Sequence, residues 1–389
     1  MNPRLPIIVV LCAAIAAGAY FFFGRETWVS TVILTVPASK LASGNAQAAG
    51  VAGENFAAGT SSDAAKKPAL DWKRIAAMAK FLESGGGDAP SFPEVTEEDI
   101  ARFLAKHGET PANLVAASEA LHDPSLVYRA LELFPNSPLV LLAVMQRRGG
   151  PWPEPSEFSA VDPERMALIE RFKAADPNNP LPWIFSAAAL FTSGQTADGV
   201  AAIRAALERP AFYSYFPERC AATQRLYEDI GLHPLEASLL AMAGQTIPHM
   251  AATQQASRRL MDWQKAATES GDTAGAADAT RLTYALGRTF ATPEASRWII
   301  DQHVGIAIEK RALEALPADA QPDWLTVTPA QRLAEMEKQK QAMIDVTPEA
   351  SDFAWIISSQ NEQVLAEGLR RLRSDGEFSA LTWLKAQRK

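Results

Sequence analysis

The chain has 389 residues with a formal net charge of -8, and hydrophobic residues make up 48% of it. An acidic chain argues against a nucleic-acid-binding protein, because contact with phosphates needs clustered lysine and arginine. Only 2 cysteines are present, Cys12 and Cys220, which excludes a disulfide framework and a cluster of thiolate metal ligands.

The N-terminus carries a long apolar run between two arginines. Arg4 precedes the run, residues 5–23 form it, and Arg25 follows it. Its length of about 19 residues is close to the roughly 20 that a helix needs to cross a bilayer. The run ends on the bulky aromatics of residues 20–23, whereas a signal-peptide cleavage site would have small residues there. We therefore expect a membrane anchor over residues 1–26, with a cleaved signal peptide as the alternative.

The charges around this run predict its orientation. Arg4 and the amino terminus favour a cytoplasmic N-terminus, because positive charge is retained on the cytoplasmic side. This predicts a single-pass protein of the bacterial inner membrane with its body outside the cytoplasm, in the periplasm. Residues 27–69 follow as an apolar juxtamembrane stretch and then an Ala/Gly/Ser-rich segment. That segment has too little apolar surface to fold, so it is predicted to be a disordered, flexible linker.

From residue 71 onward, helical periodicity dominates. Strong helix formers are frequent, and alternating β-branched runs are rare. Thr96 with Asp99 has the pattern of a capping box at a helix start. The body is predicted to be all-α, and its longest predicted helix runs from Pro293 to Leu316. Further along the chain, helix starts are expected near Pro217, Pro234, Pro248, Thr273, Pro293, Pro329, Pro348 and Asn361.

One short motif occurs twice. Pro-Asn-x-Pro-Leu begins at Pro135 and again at Pro177, an offset of 42 residues. Each copy follows a predicted helix and opens another, and proline suits the first turn of a helix because it lacks the N–H that would be unpaired there. A fixed offset of this size is typical of helical repeat proteins.

Residues 176–210 resemble a tetratricopeptide repeat. Trp183 stands at the position of that family's first-helix tryptophan, Gly194 at the turn between its two helices, and residues 206–208 match its "ALE" ending. The resemblance is clear for this repeat and partial for residues 111–175. It departs from the family pattern at Ser186 and Gly199, where Leu and Ala are expected.

The resemblance implies a right-handed, tetratricopeptide-like array of antiparallel helix pairs. We assign residues 70–210 to this array and residues 211–389 to an irregular helical region packed on it. Such arrays bind a protein or peptide along the face formed by their first helices. The implied partner-binding residues in this chain are Leu181, Ile184, Ala188, Phe191 and Thr192. The alternative is that a neighbouring helix of the same chain covers this face.

No catalytic or cofactor motif was found. The chain has 5 histidines, none of them paired at the i,i+3 or i,i+4 spacing of a helical metal site, and it has no P-loop and no nucleophile elbow. We therefore predict no cofactor, no metal and no catalytic residue. The predicted role is non-catalytic binding or scaffolding in the bacterial cell envelope. Two alternatives stay open: a hydrolase-type enzyme whose site is assembled from distant acids, and a structural subunit that self-associates as a homo-oligomer.

Overall fold

The computed structural model describes residues 68–83, 94–148, 162–209, 212–245, 247–291, 296, 298–346 and 350–387. All regular secondary structure in these residues is α-helical, so the all-α prediction is confirmed. None of the described helices is both long and apolar enough to span a bilayer. The predicted anchor over residues 1–26 lies outside the described residues, as does the linker up to residue 67.

The first group of helices precedes residue 210. These helices are α1 Trp72–Glu83, α2 Glu97–His107, α3 Pro111–Leu121, α4 Pro124–Leu133, α5 Pro138–Arg148, α6 Pro163–Ala175, α7 Leu181–Thr192 and α8 Thr196–Leu207. From α2 to α8, each helix packs on the next one in the chain. This part of the chain is therefore a row of sequential neighbours, which we call the array.

The second group of helices follows residue 211. These are α9 Phe216–Asp229, α10 Pro234–Ala243, α11 Pro248–Ser270, α12 Thr273–Arg288, α13 Ile299–Glu314, α14 Pro329–Val346, α15 Ala350–Ser359, α16 Glu362–Ser374 and α17 Glu377–Gln387. Here contacts between helices distant in sequence are common. Helix α9 packs on α2 and α3, α11 on α7, and α12 on α8. The second group therefore folds back onto the array.

Local capping explains most helix starts. The predicted capping box is present at α2, where the Asp99 amide donates to Thr96 Oγ1 at 3.2 Å and the Thr96 amide donates to Asp99 Oδ2 at 3.1 Å. Helices α10, α11 and α14 begin at prolines, as predicted. Two details were wrong. Helix α13 begins at Ile299 rather than at Pro293, and the longest described helix is α11, with 23 residues.

The two copies of the sequence motif form turns of the same geometry. Phe134 ends α4 with φ −130° and ψ 63°, and Asp176 ends α6 with φ −140° and ψ 72°. The carbonyl of Phe134 accepts from the Ser137 amide at 3.0 Å, and that of Asp176 accepts from the Asn179 amide at 3.3 Å. The repeated letters therefore correspond to a repeated backbone conformation.

In each of these turns, a backbone carbonyl accepts a hydrogen bond from an arginine at the end of a later helix. Arg171, near the end of α6, donates to the carbonyl of Pro135, and Arg209, just beyond α8, donates to the carbonyl of Pro177 at 2.9 Å. The turn at Pro135 begins the pair α5–α6, and Arg171 lies at the end of that pair. In the same way, the turn at Pro177 begins the pair α7–α8, and Arg209 lies at its end. The helix pairs α5–α6 and α7–α8 are therefore equivalent units in their turn contacts as well as in sequence.

The hairpin of α7 and α8 depends on two glycines. Gly194 adopts φ +79° in the turn, a conformation that side chains with a Cβ rarely take. Gly199 lies against the ring of Phe191, and a Cβ on Gly199 would come within 2.7 Å of that ring. The glycine at position 199, which departs from the family pattern, thus permits close packing of the two helices.

The start of the described body is joined to α10. The Asp71 amide donates to Glu236 Oε1 at 3.2 Å, and Arg74 Nη1 lies 3.7 Å from Glu236 Oε2. Ile75 of α1 lies in one apolar core with Leu240 of α10 and Leu369 of α16. Both ends of the described body therefore meet in a core separate from that of the array.

Candidate functional site

The predicted partner-binding residues lie in the protein core. Their exposed fractions are small, so these side chains offer no surface to a second molecule. The values are Leu181 0%, Ile184 0%, Ala188 0%, Phe191 2% and Thr192 5%.

Helix α11 covers this face of α7. Ala252, Ala256 and Leu260 recur every four residues along α11 and are fully buried. They belong to the same apolar core as the four predicted α7 positions other than Thr192. The Gln255 side-chain amide donates to Thr192 Oγ1 at 2.8 Å across the contact. The alternative arrangement, in which a helix of the same chain covers this face, is therefore the one present.

A second helix, α9, covers the neighbouring part of the array through charged groups. Arg219, whose side chain is only 4% exposed, pairs with Glu119 of α3. Nearly two turns further along α9, Arg225 Nη2 donates to Asn113 Oδ1 of α3 at 3.0 Å. These contacts join residues 100 and 112 positions apart, so no local pattern in the sequence could predict them.

The end of α9 continues this charged contact with α2. Asp229 Oδ1 accepts from Lys106 Nζ at 2.7 Å, and Asp229 Oδ2 lies 2.8 Å from His107 Nε2. Leu226, one turn before Asp229, is fully buried between these polar groups. The α9 contact thus combines a narrow apolar strip with carboxylates, arginines and a lysine.

Trp183 is in contact with two cationic side chains. Lys173 Nζ is 4.4 Å from a ring centroid of Trp183, and Arg209 Cζ is 3.9 Å from it. Such contacts are attractive because the face of an aromatic ring is electronegative. Since Arg209 also closes the turn at Pro177, Trp183 has a clear structural role in orienting that arginine.

A buried trio links α11 to the segment before α13. His249 Nε2 lies 3.1 Å from Asp301 Oδ1, and Ser296 Oγ donates to Asp301 Oδ2 at 2.6 Å. All three are at most 5% exposed, and the rings of Phe212 and Phe290 pack beside the imidazole. The serine donates to the carboxylate and not to the imidazole, so the trio lacks the serine–histidine contact that activates a nucleophile.

A second buried carboxylate joins three helices. Glu309 of α13 is fully buried and accepts from Arg332 of α14 at 2.9 and 3.2 Å, while Arg288 of α12 lies 3.9 Å away. Burial raises the pKa of Glu309 above its ordinary value, although both arginines oppose this shift. The cluster holds α14 against the body and leaves its carboxylate no access to a substrate.

The thiol of Cys220 lies in a partly buried position on α9. Burial raises the pKa of the Cys220 thiol to about 12, so it stays protonated at neutral pH. Within the described residues, no group of three or more His, Cys, Asp or Glu side chains is arranged to hold a metal ion. Comparison with protein-family models, curated proteins and solved structures finds no match to this chain.

Proposed function

We propose that this chain is a non-catalytic, membrane-anchored scaffold of the bacterial cell envelope that binds other proteins through its helical array. The observation that carries this proposal is the repeated turn: two helix pairs in succession share the geometry that begins at Pro135 and Pro177. Repeated helix pairs bury their apolar faces only by stacking, and stacking produces extended surfaces suited to proteins rather than to small substrates.

The array is proposed to be tetratricopeptide-like, with the right-handed stacking of that family. The hairpin at Gly194, the close approach at Gly199 and the tryptophan at position 183 support the assignment. Helix α11 covers the face formed by the first helix of this pair. Many apolar grooves bind a helix of a partner protein in the same way. The surface for a partner protein therefore lies outside the covered positions of α7.

The anchor over residues 1–26 and the linker that follows complete the proposal. They would place the body in the periplasm, within reach of proteins in or near the inner membrane. A fusion of alkaline phosphatase to the C-terminus tests the topology, since this enzyme is active only outside the cytoplasm. We expect an active fusion; an inactive fusion with an active cytoplasmic reporter would refute the predicted orientation.

Crosslinking in intact cells tests the function. The tagged full-length chain is compared with a secreted version that lacks residues 1–67, and captured proteins are identified by mass spectrometry. We expect the same specific envelope protein with both, enriched over an unrelated tagged periplasmic protein. Recovery of the chain alone would refute binding to other proteins and favour self-association.

A further inference from the structure

A histidine caps the start of α10. The Leu235 amide donates to His233 Nδ1 at 3.2 Å, and the His233 amide donates to Glu236 Oε2 at 3.3 Å. This is the reciprocal arrangement of a capping box, with an imidazole in the place usually taken by serine, threonine, asparagine or aspartate. Unlike the oxygen atoms of those side chains, an imidazole nitrogen accepts a hydrogen bond only while it is unprotonated.

The hydrogen-bonding pattern fixes the charge of the His233 ring. A neutral imidazole has one acceptor nitrogen and one N–H, whereas a protonated imidazole has an N–H on both nitrogens. Because Nδ1 accepts from the Leu235 amide, the ring that caps α10 is neutral and carries its hydrogen on Nε2. That nitrogen lies 3.3 Å from Glu362 Oε1 of α16. Protonation would place an N–H of the ring against the Leu235 N–H, so the side-chain cap would be lost.

The charged groups around His233 leave this protonation accessible. Glu362 is 58% exposed, and its carboxylate favours a positive charge on the nearby ring. Within α10, the carboxylate of Glu236 is buried and is offset by Arg74 of α1, whose Nη1 lies 3.7 Å from Glu236 Oε2. Arg74 Nη2 also lies 3.8 Å from Asp71 Oδ2. The carboxylate of Glu362 therefore lets the ring take up a proton although His233 itself is buried.

Further side chains of α9 and α16 that pack against α10 keep one charge state near neutral pH. Cys220 of α9 donates to a carbonyl of α10 at 3.7 Å, and burial raises the pKa of its thiol to about 12. Burial also raises the pKa of Tyr227 of α9, which packs on the same core. Arg373 of α16 donates to Ser238 Oγ and stays charged. Of these groups, His233 is the one whose residue type changes charge between about pH 5 and 8.

The capped turn also holds α1. Glu236, the third residue of α10, accepts the His233 amide through Oε2 and the Asp71 amide through Oε1. Asp71 Oδ1 in turn accepts the amides of Lys73 and Arg74 at 3.0 and 3.1 Å, and so caps α1. Loss of the cap at His233 would loosen the turn that positions Glu236, and the start of α1 would lose its attachment.

We propose that His233 acts as an acid-sensitive latch, whose neutral ring holds α1 against α10 and whose protonated ring releases it. The cap is complete at neutral pH and is lost as the pH falls, because the closed arrangement requires the neutral ring. These contacts lie within the described body, so the latch is tested independently of the scaffold function. If the N-terminal residues tether the body as proposed above, release of α1 would lengthen that tether in acid.

Hydrogen–deuterium exchange of the full-length protein in detergent tests the latch. Peptides that cover Trp72–Glu83 are followed at about pH 7.5 and about pH 5.5, on either side of the range in which histidine titrates. Their rates are divided by those of the same peptides in the unfolded chain, which removes the intrinsic effect of pH. We expect α1 to exchange about fivefold faster at the lower pH, the effect of losing one helix cap. Peptides from Leu181–Thr192 of α7 should not change.

Two asparagine variants identify the titrating group. His233→Asn keeps a side chain that caps the helix at either pH, so α1 should stay protected in acid. His122→Asn is the matched control, because it removes an exposed imidazole at the end of α3, where φ is 55° and asparagine is tolerated. It should keep the wild-type response. His233→Ala removes the cap and should exchange fast at both pH values.

Three results would overturn the latch. An acid response that persists in His233→Asn would show that another group titrates. Wild-type exchange in α1 that does not change with pH would show that the cap is not lost in acid. Exchange that rises equally in α1 and α7 would show general unfolding instead of release of α1.

Discussion

Helices α9 and α11 both cover the array, yet they do so with different chemistry. Helix α11 meets α7 through alanine, leucine and phenylalanine, and the side-chain amide of Gln255 donates a hydrogen bond to Thr192 across the contact. Helix α9 meets α2 and α3 through Arg219 and Asp229 and their partners. Apolar burial is insensitive to moderate salt, whereas charge pairs that retain some exposure are screened by it. The two contacts should therefore respond differently to ionic strength.

The largest effect is expected in the apolar contact. Phe191→Ala removes a buried ring from α7 and leaves a cavity beside Gly199, which should lower the free energy of unfolding by about 3–5 kcal/mol. Urea denaturation measures this value. Leu133→Ala, at a position 45% exposed, is the control and should change stability by less than about 0.5 kcal/mol. A loss below about 1 kcal/mol for Phe191→Ala would contradict the covered face.

An intermediate effect is expected in the charged contact. A double-mutant cycle of Arg219→Ala and Glu119→Ala should give a coupling energy of about 1.5–3 kcal/mol, since the arginine is buried and the hydrogen bond is between charged groups. The coupling should fall when the denaturation is repeated at about 1 M salt, where the screening length is roughly 3 Å. The Phe191→Ala loss should not change with salt. Equal salt sensitivity in the two would refute the distinction between the contacts.

A smaller effect is expected for the hydrogen bond between Gln255 and Thr192, which lies within the apolar contact of α11 with α7. Thr192→Val keeps the shape but removes the acceptor for Gln255, which should cost about 1 kcal/mol. Thr280→Val is a matched control, because Thr280 is also buried and its hydroxyl donates only to the carbonyl four residues earlier. Equal losses in both variants would show that the bond across the helices contributes nothing.

The smallest effect concerns a third contact, that of α13 with α14. Because the pKa of Glu309 is raised in the folded protein, the folded state binds this proton more tightly than the unfolded chain. Its contribution to stability is present below the ordinary value of 4.5 and is lost as pH rises through the raised value. Glu309→Gln should remove this part of the pH dependence, as measured by denaturation across a pH series. An unchanged profile would exclude Glu309 as its source.

Features encoded within a few residues could be predicted from the sequence. The capping box at Thr96 and the helix starts at Pro234, Pro248 and Pro329 are local, because a proline or a threonine acts on amides in the adjacent turn. The start of α13 is different. The Ile299 amide is capped by Glu377, a residue 78 positions later, at 2.8 Å, so a prediction based on Pro293 failed.

The candidate site was less predictable for the same reason. Leu181 and Ile184 form an apolar stripe that would look the same whether it faced a partner, solvent or another helix. The residues that cover them, including Ala252 and Leu260 of α11, come much later in the chain. Alanine and leucine are common in any helix, so they do not mark this contact in the sequence.

The attachment at Glu236 has a mechanical consequence. The described residues begin at 68, and the backbone amide of Asp71 and the side chain of Arg74 are held by this carboxylate of α10. Tension on the preceding residues would load α1 and α10 first, and their core is separate from the one within the array. Under the tether proposed for the preceding residues, the stacked helices would be insulated from pulling and their surface would keep its shape.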